Sequence, residues 1–436
     1  MAGPAGNSLY KVETVGKYVL ANLEPESNVI GNANHEHNGF QHNGASYGNS
    51  VQIPLPILAK YNQGLDLPGG NYDELRLRFD VLQVGADIAH QCNVNYTTST
   101  IQRVFDQVDN PMWMNAWAAS FGKTMAGNME VIVAQEFKNT WRCEGTWDGT
   151  NGTINPLDTY TTLSNWATNH VSFGSDRGTL KTWIPINTPD NVINQGFSQF
   201  VIERNERNFD TYKLGSWHNG EWYPTTALPT QFAGTMAASP GVPQEDLVFA
   251  SINAAGDQIT FTSAAAGKTI NADDIIRFDA TAAGPGTNLR LVQRMVKSQR
   301  SEQFVSVRAT ALATAAAGVI VVNITPALLP LADVSYPYDG LLSRDLAVTD
   351  VAHVAPTHRV GVMVSSNAFY CSIPPLPGTD PFDSTSVSAS ITGDTNISIR
   401  STYGTTINNR DKVFIFDAIF GERIIPEYAT RGLFPA

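Results

Sequence analysis

Apolar positions recur along this chain with two periods, and the clearest is a four-residue period over residues 111–141. A four-residue step overshoots one helical turn by about 40°, so such a stripe winds slowly round a helix. At about 1.5 Å per residue the helix would be about 45 Å long, which predicts a spine that several elements contact. The apolar residues of the stripe are Trp113, Trp117, Phe121, Met125, Met129, Val133, Phe137 and Trp141.

An alternating pattern precedes this helix. Residues 51–58 are apolar and contain Pro54 and Pro56, which exclude a central place in a sheet, whereas residues 75–82 alternate apolar and charged. We expect a hairpin with a turn-rich tip at residues 62–71. Because two strands without a neighbouring sheet are marginal in water, the hairpin is predicted to lie on another subunit. Residues 1–50 are rich in Asn, Gly and His and predict an extended arm that only a partner orders.

The rest of the chain is mixed, then β-rich, then mixed again. In residues 143–233 we predict a helix over 156–170, capped by Asn155 or Asp158, and a strand over 179–186. In residues 234–335 six short β runs predict a small antiparallel barrel, inserted into the mixed part. These runs are 247–252, 258–263, 275–278, 289–297, 304–310 and 319–325. Residues 344–354 read as helix or loop, and 360–364, 397–402 and 412–419 as strands.

The composition of the chain argues against two classes of function. Charged residues make up 16% of the 436 residues, and the net charge is −12. An acidic chain argues against sequence-independent nucleic-acid binding and against a polybasic membrane anchor. The uncharged stretch 309–332 is interrupted by Asn323, Pro326 and Pro330, so we predict a strand and a loop there, not a membrane span. No targeting segment is expected.

Candidate chemical groups each have a plainer interpretation. Residues 44–48 match the nucleophile-elbow pattern, but an Asn/Gly/His-rich loop precedes them where a buried strand is needed. Residues 284–288 lack the third glycine and the helix of a dinucleotide turn. Three cysteines far apart suit neither a disulfide framework nor a zinc site. A cluster that could offer metal ligands in the arm consists of His35, Glu36, His37 and His42.

Two charged groups lie in the β-rich part. The adjacent Asp273 and Asp274 face opposite sides if they lie on a strand, so a turn before a strand is favoured over an acid–base pair or a calcium site. The basic cluster fits a solvated face or an ionic contact to an acidic partner better than phosphate binding. It comprises Arg290, Arg294, Lys297, Arg300 and Arg308. We therefore predict no catalytic, cofactor or metal site and no enzymatic activity.

Local patterns in the second half resemble tailed-phage coat proteins of the Salmonella P-twenty-two podophage type. The first patterns are residues 267–278 (Gly-Lys-Thr-Ile-Asn-Ala-Asp-Asp-Ile-Ile-Arg-Phe), 303–308 (Gln-Phe-Val-Ser-Val-Arg) and 318–326 (Gly-Val-Ile-Val-Val-Asn-Ile-Thr-Pro). The patterns resembling the return into the core are 359–366, 371–377, 397–404 and 411–427. In the first half the order of parts is similar: arm, hairpin, long helix, mixed domain.

The resemblance implies an α+β Hong Kong ninety-seven capsid fold. Its parts would be an N-terminal arm (1–48), an extended hairpin loop (49–82), a peripheral domain with the spine helix (83–142), a mixed axial and peripheral domain (143–233), an inserted β-barrel (234–335) and a return to the core (336–436). The implied function is that of a major capsid protein, which self-assembles into the icosahedral head shell enclosing the double-stranded DNA of a tailed bacteriophage. Its location would be the virion, with the host cytoplasm during assembly.

The implied partners are many copies of the chain, as hexamers and pentamers, with a scaffolding protein, a portal protein and possible decoration protein. Packaged DNA would be contents only, without sequence-specific binding, and no membrane would be involved. The predicted assembly residues are Gln63, Gly64, Leu65, Asp66 and Leu67 in the hairpin tip, Trp113, Trp117 and Phe121 on the spine, and Arg290, Arg294 and Lys297 in the inserted domain.

Two other classes fit parts of the pattern. An encapsulin-like cellular compartment shell would share the fold but need a cargo groove and normally no inserted barrel. A β-rich tail, fibre or carbohydrate-binding protein would lack the long helix. An enzyme comes third.

Overall fold

The computed structural model divides the chain into two compact units, each built from three separate segments. The first comprises Met1–Ile53, Val81–Glu136 and Phe369–Arg423, and the second comprises Pro54–Asp80, Phe137–Ala368 and Ile424–Ala436. The structure describes residues 5–35, 50–54, 79–83, 90–97, 111–173, 180–194, 216–217, 220–262, 264–287, 289–292, 300–330, 340–365, 368–376, 386–393, 397–405 and 412–436.

Helices and strands alternate irregularly, and strands predominate. The helices are α1 (Ala5–Glu26), α2 (Asn28–Gly31), α3 (Pro111–Ala134), α4 (Tyr160–Ser172) and α5 (Thr188–Asn194), with 3-10 helices at Gln135–Asn139 and Pro426–Tyr428. The first strands are β1 (Ser50–Pro54), β2 (Phe79–Gln83), β3 (His90–Thr97), β4 (Cys143–Glu144), β5 (Thr146–Trp147), β6 (Ile154–Asn155), β7 (Leu180–Pro185), β8 (Ser216–Trp217), β9 (Gly220–Thr225) and β10 (Thr230–Gln231).

The remaining strands fall into a middle series and a final series. The middle series is β11 (Leu247–Ile252), β12 (Gln258–Thr262), β13 (Thr269–Ile270), β14 (Ile275–Thr281), β15 (Gly284–Pro285), β16 (Arg290–Val292), β17 (Arg300–Ala309), β18 (Ala313–Thr314), β19 (Val319–Thr325), β20 (Leu329–Pro330), β21 (Gly340–Leu342) and β22 (Asp350–Val354). The final series is β23 (His358–Ser365), β24 (Phe369–Ser372), β25 (Ser386–Thr392), β26 (Ser398–Thr405), β27 (Lys412–Ile424) and β28 (Ala429–Phe434).

The first unit packs two helices on a five-stranded sheet. Strands β24, β27, β26 and β25 are neighbours in that order, and β3 also pairs with the long strand β27. The β25–β26, β26–β27 and β27–β3 pairs are antiparallel. Helix α1 packs against α3 and against β25 and β26. The strands predicted at 397–402 and 412–419 are confirmed, and both extend further than the sequence indicated.

The N-terminal segment corrects one expectation. Residues 5–26, predicted to be part of an extended arm, form the 22-residue helix α1. Four of its buried apolar residues are spaced three or four apart and form one stripe, which α3 and the sheet of the same chain cover. This stripe consists of Val12, Val15, Val19 and Leu23. The expectation that only a partner orders this segment is therefore wrong for residues 5–26, since the prediction weighed their composition and overlooked the spacing.

The spine helix lies where the sequence predicts it but ends earlier. The chain leaves the α-helix after Ala134 and tightens into the 3-10 helix Gln135–Asn139. The Thr140 hydroxyl donates to the Phe137 carbonyl at 2.7 Å, which closes this turn. The stripe from Phe121 onward is buried, as predicted. Its last member, Trp141, lies beyond the helix and joins the hydrophobic core of the second unit.

The second unit contains a seven-stranded sheet with helix α4 on it. The strand order is β4-β28-β23-β7-β9-β8, and β10 also pairs with β23. The strands predicted at 179–186 and 360–364 are confirmed. Helix α4 begins later than predicted, because its cap is Thr159 and neither Asn155 nor Asp158. The Thr159 hydroxyl accepts from the Thr162 backbone N–H at 3.1 Å, and the Thr162 hydroxyl accepts from the Thr159 N–H at 3.1 Å.

Between β10 and β23, six antiparallel strands close into a ring. Strands β14, β22, β11, β12, β19 and β17 are successive neighbours, and a β14–β17 pairing joins the two ends. Along β19 buried and exposed residues alternate, as a strand with one dry face requires. The interior residues include Phe249, Phe261, Phe278, Val305 and Ile320.

One ring strand corrects the sequence interpretation. Residues 350–354, predicted to be helix or loop, form β22, which pairs with both β11 and β14. The predicted strand 289–297 contributes only β16 in the described residues, and β16 lies outside the ring on the far side of β17. The ring therefore needs a strand from beyond residue 335. Strand β22 is short and uniformly buried, so it carries no alternating pattern that identifies it.

The predicted hairpin is described only at its base. Strands β1 and β2 pair with each other, and the predicted tip at 62–71 lies outside the described residues. Among the described residues, no helix has the length and apolar character that a membrane crossing needs. The helices and strands of the described residues together form a mixed α+β fold that is rich in β structure.

Candidate assembly elements

The close contact between α1 and α3 depends on a glycine. A Cβ at Gly122 would lie 2.6 Å from the Val19 carbonyl oxygen and 3.0 Å from the Leu23 nitrogen. These distances are too short for any larger residue without separating the two helices. On the other side of α1, a Cβ at Gly16 would overlap the Ile391 side chain. The N-terminal helix is thus fitted closely between the spine helix and β25.

After α1 the chain is fastened once to the spine helix α3 and twice to strand β24 of the sheet in the first unit. Glu130 of α3 accepts hydrogen bonds from the backbone N–H groups of Val29 at 2.5 Å and Ile30 at 3.0 Å. The Asn34 N–H donates to the Phe369 carbonyl at 2.8 Å, and the Cys371 N–H donates to the Asn34 carbonyl at 3.0 Å. The imidazole of His35 lies 2.8 Å from the Cys371 carbonyl through Nδ1 and 2.9 Å from the Ile30 carbonyl through Nε2.

One buried and one partly buried carboxyl group lie in this region. Burial raises the pKa of Glu130 to about 7, although the backbone N–H groups that it binds act in the opposite direction. Burial likewise raises the pKa of Glu422, on β27, to about 7. The Cys371 thiol is buried beside both carboxyls, and its pKa lies well above the ordinary value, first because of burial and then because of their charges. The carboxyl groups of Glu130 and Glu422 therefore change charge near neutral pH, whereas the Cys371 thiol does not.

In the second unit, Asp274 binds three groups at the junction directly before the ring strand β14. Its carboxylate accepts from the backbone N–H groups of Gly234 at 2.9 Å and Asn271 at 2.8 Å, and from the side-chain amide of Gln231 at 2.9 Å. Burial raises its pKa to about 6. The neighbouring Asp273 has a positive φ of 68° and accepts from the Arg308 guanidinium at 2.6 Å. The turn before a strand that the sequence favoured is confirmed.

Two fully buried arginines bind backbone carbonyls beneath this junction. Arg431 of β28 donates to the carbonyls of Lys138 and, at 3.2 Å, Asp273. Burial lowers the pKa of Arg431 to about 10, so it stays charged at neutral pH. Arg142 donates to the Ala429 carbonyl at 3.0 Å, and its guanidinium lies 4.5 Å from the centre of the Phe173 ring. Together they tie the end of the spine segment to the C-terminal strand.

A charged chain of contacts crosses one face of the ring. His353 lies 2.5 Å from an Asp279 carboxylate oxygen and 2.9 Å from an Asp246 carboxylate oxygen. Burial lowers the pKa of His353, but the two carboxylates outweigh it and the pKa is raised overall. Arg277 binds Asp279 at 3.1 Å and lies 4.0 Å from the centre of the Trp147 ring. These contacts join β14 to β22 and to Asp246, the residue directly before β11.

Two of the predicted assembly residues have described side chains. Phe121 is buried, and its ring lies 5.7 Å from that of Phe416 in the sheet beneath α3. Arg290 donates to the carbonyls of Thr287 at 2.9 Å and Leu289 at 3.0 Å, and its guanidinium lies 3.8 Å from the Phe304 ring centre. Both side chains are therefore held by their own chain, and their part in assembly stays a prediction.

The other predicted assembly residues are not brought together by the described structure. Trp113 and Trp117 lie on α3, but their side chains are outside what the structure describes. Arg308, in the basic cluster expected to face solvent or an acidic partner, instead binds Asn139 at 2.7 Å and Asp273. The residues that lie outside the described ranges are Gln63, Gly64, Leu65, Asp66, Leu67, Arg294 and Lys297.

The candidate chemistry of the arm is only partly described. His35 binds two carbonyls, and the rest of the candidate metal cluster (Glu36, His37 and His42) lies outside the described ranges, as does the elbow-like segment 44–48. Within those ranges, no group of three or more His, Cys, Asp or Glu side chains could hold a metal ion. The sequence analysis did not identify Glu130 as a functional residue. Its only sign in the sequence is a single acidic residue next to Met129 of the apolar stripe.

A comparison with solved structures finds capsid and head structures of bacteriophages. The chain resembles the capsid structure of the cyanophage P-SCSP1u, with 11% identity, a TM-score of 0.34, and 89% of this chain and 84% of that chain covered. It resembles the capsid of Ralstonia phage GP4 with 7% identity, a TM-score of 0.37, and 89% and 85% covered. It resembles the head structure of Helicobacter pylori bacteriophage KHP40 with 9% identity, a TM-score of 0.29, and 88% and 83% covered.

Sequence comparison gives no counterpart. No family model matches the chain, and no curated protein matches it.

Proposed function

We propose that this chain is the major capsid protein of a tailed bacteriophage, which assembles into the icosahedral head shell around double-stranded DNA. The observation that carries the proposal is the order of elements along the chain. Helices α1 and α2 stand in the place of the arm, and the paired strands β1 and β2 come next, followed by β3, helix α3, the seven-stranded sheet, the ring of strands and the return into both units. This is the order that the resemblance to tailed-phage coat proteins implies.

The closed ring of six strands supports the proposal that a β-barrel is inserted into a Hong Kong ninety-seven capsid fold. Strand β10, where the chain leaves the seven-stranded sheet, pairs with β23, where it returns, through Thr230–Arg359 and Gln231–His358. Adjacent entry and exit strands are what an insertion between two neighbouring positions needs, since the host sheet is then complete without it. The inserted part would begin near residue 234 and include β22.

The proposed partners are those that a capsid shell requires. Copies of the chain would form hexamers and pentamers in the virion, after assembly in the host cytoplasm with scaffolding and portal proteins. The net charge of −12 favours DNA that is packaged as contents over DNA that this chain captures. The 24-residue helix α3 is a feature that the tail-fibre alternative would lack, and the ring is a feature that an encapsulin-like shell normally lacks.

The test is assembly of the purified full chain, with and without residues 60–71. Electron microscopy and sedimentation of the intact chain should give closed polyhedral shells. The deletion should leave thermal unfolding of the unassembled chain unchanged, because loop tips carry little of a subunit's stability, and should prevent fast-sedimenting shells. Small particles or open tubes from the intact chain would overturn the proposal. Normal shells from the deletion variant would remove only the role of the hairpin.

A further inference from the structure

The ring of strands carries its charged residues on only part of its circumference. Each of the strands β14, β17 and β22 contains charged or titratable residues. The other three ring strands, β11, β12 and β19, are successive neighbours and contain no charged residue. The acidic residues next to them, Asp246 and Asp257, stand directly before the antiparallel strands β11 and β12, and therefore at opposite ends of this part of the sheet. The three strands thus present an outer surface without formal charge.

The outward residues of these strands lie side by side in rows. Thr262 lies between Val248 of β11 and Val319 of β19, and Thr260 pairs with Val321 in the next row. The residues that alternate with them are buried in the ring interior. We call these five outward residues the valine–threonine face. It consists of β-branched side chains on a pleated surface, which suits packing against another sheet.

Exposed apolar side chains are concentrated at this face. Among the described residues, nine large hydrophobic side chains are exposed, and three of them lie between residues 312 and 321. Val319 and Val321 are 38% and 47% exposed, and Leu312, in the loop before β18, is 65% exposed. Single exposed apolar residues are normal on a protein surface, whereas a group of them on one sheet indicates a contact surface.

Strand β19 is occupied along both of its edges. On one side it pairs with β12 over residues 319–323. On the other side the loop after β17 is hydrogen-bonded to both ends of this stretch. The Thr310 N–H donates to the Asn323 carbonyl at 2.9 Å, and Ala316 exchanges two backbone hydrogen bonds with Val319. A partner would therefore pack on the side chains of the face and would not add a strand to it.

We propose that the valine–threonine face packs against the same face of a second copy of this chain, so that the rings of neighbouring subunits meet in the shell. The inference rests on the proposed function, since it assigns one of the contacts of a capsid shell. The charge of the chain selects a second copy as the partner. At a net charge of −12, copies repel each other wherever acidic surfaces meet, and an uncharged face meets its own counterpart without that cost.

A contact between two identical faces has a two-fold axis, and residues near its centre meet their own counterparts. The row of Thr260 and Val321 lies between the row that contains Val319 and the row of Gln258 and Asn323. Val321 is therefore expected to lie close to Val321 of the second copy.

The size of the face predicts a weak contact. Three strands about 4.8 Å apart, over about five residues of about 3.3 Å each, cover about 250 Å² on each copy. Stable protein pairs bury about 1,200–2,000 Å² in total, more than twice what two such faces provide. The unassembled chain should therefore not dimerise through this face. A shell repeats the contact many times and holds the faces at a high effective concentration, so the contact should form there.

Opposite charges at position 321 test the self-contact. Val321→Lys and Val321→Glu should both fold normally, because the side chain is exposed, and thermal unfolding of the unassembled chains checks this. Each variant alone sets like charges against each other across the two-fold axis. The yield of shells at low salt, measured by sedimentation, should therefore fall about tenfold. An equimolar mixture places Lys opposite Glu and should regain most of the yield, and high salt should reduce all these differences.

A cysteine at the same position gives a second measurement in shells that assemble normally. Val321→Cys shells should form a disulfide-linked dimer on mild oxidation, whereas the unassembled variant should not. Val348→Cys, at an exposed position in the loop before β22, is the matched control and should give no such dimer. The wild type shows the background from the three native cysteines.

The possible results separate this inference from the proposed function. Shells that form with equal yield in all preparations, and without the Val321→Cys dimer, would overturn the self-contact and leave the proposed function standing. A loss of shells in both charge variants that mixing does not restore would show that a different surface packs on the face, and would also overturn the self-contact. If the wild type forms no shells, the proposed function fails and this inference fails with it.

Discussion

The backbone of Gly122 in the spine helix approaches the Val19 carbonyl so closely that a Cβ at position 122 would lie 2.6 Å from that oxygen. We predict that Gly122→Ala forces α1 away from α3. The free energy of unfolding should fall by about 1–3 kcal/mol, as for other overpacked sites. Urea denaturation followed by tryptophan fluorescence measures the change.

The same helix offers a matched control. Gly127 has no atom within 4 Å of the position that a Cβ would occupy, and it is exposed. Gly127→Ala should therefore keep the helix contact and raise stability by up to about 1 kcal/mol, because alanine favours a helix more than glycine does. Equal destabilisation by both substitutions would contradict the role of the close approach.

Glu130 should make stability decrease as the pH rises from about 5 to 8. Its pKa is about 7 in the folded chain against 4.5 for the ordinary group, chiefly because of burial. A group whose pKa is raised by folding stabilises the fold below its unfolded pKa, and this contribution is lost as the pH rises through the folded pKa. The full contribution is about 3 kcal/mol between these limits.

The test compares urea denaturation at pH 5 and pH 8. Glu130→Gln keeps an oxygen that can accept from the N–H groups of Val29 and Ile30 but does not titrate, so the difference between the two pH values should shrink by up to about 3 kcal/mol. Glu26→Gln, at the exposed end of α1, should keep the wild-type difference. A Glu130 variant with the wild-type pH dependence would show that this carboxyl is not the source.

Arg431 should be one of the costliest residues to truncate. Its guanidinium is fully buried and donates to the carbonyls of Lys138 and Asp273. Arg431→Met keeps much of the volume but leaves these acceptors without their donors, which should cost about 3 kcal/mol or more. Arg359→Met, on the exposed face of the neighbouring strand β23, should change stability by less than about 0.5 kcal/mol. Similar thermal unfolding of the two variants would reject this difference.

The ring of strands should fold on its own only if β22 is included. A fragment of residues 234–356 contains all six ring strands, whereas a fragment of residues 234–335 lacks the strand that joins β11 to β14. The longer fragment should give an antiparallel-β circular dichroism spectrum and dispersed amide signals. The shorter one should not, because its sheet stays open at two buried edges. An ordered shorter fragment would show that β22 is dispensable.

Much of the local structure was readable from the chain. The four-residue period placed the spine helix, since Phe121, Met125, Met129 and Val133 all turn one stripe inward. The strands around residues 180–185, 358–365 and 412–424 follow from runs of β-branched and aromatic residues. Such patterns are local because a helix or a strand repeats its own side-chain direction every few residues.

Other features depended on partners far away in the sequence. The helical stripe of α1 was present in the sequence, but its cover is formed by α3 and β25, about 100 and 370 residues later. Strand β22 became recognisable only through its pairing with β11 and β14. Apolar residues on a short strand show burial but do not say which elements bury them.

The sequence by itself determined the spine helix and most of the longer strands, and which of their faces are apolar, because those properties repeat within a few residues. Only the tertiary structure decided that His35 lies between Ile30 and Cys371, and that Glu130 lies at the N–H groups of Val29 and Ile30. Apart from the contact of His35 with Ile30, five residues away, these contacts join residues about 100 to 340 positions apart. The chemistry of such a polar residue depends on the donors, acceptors and burial around it, and these exist only once the distant segments have packed together.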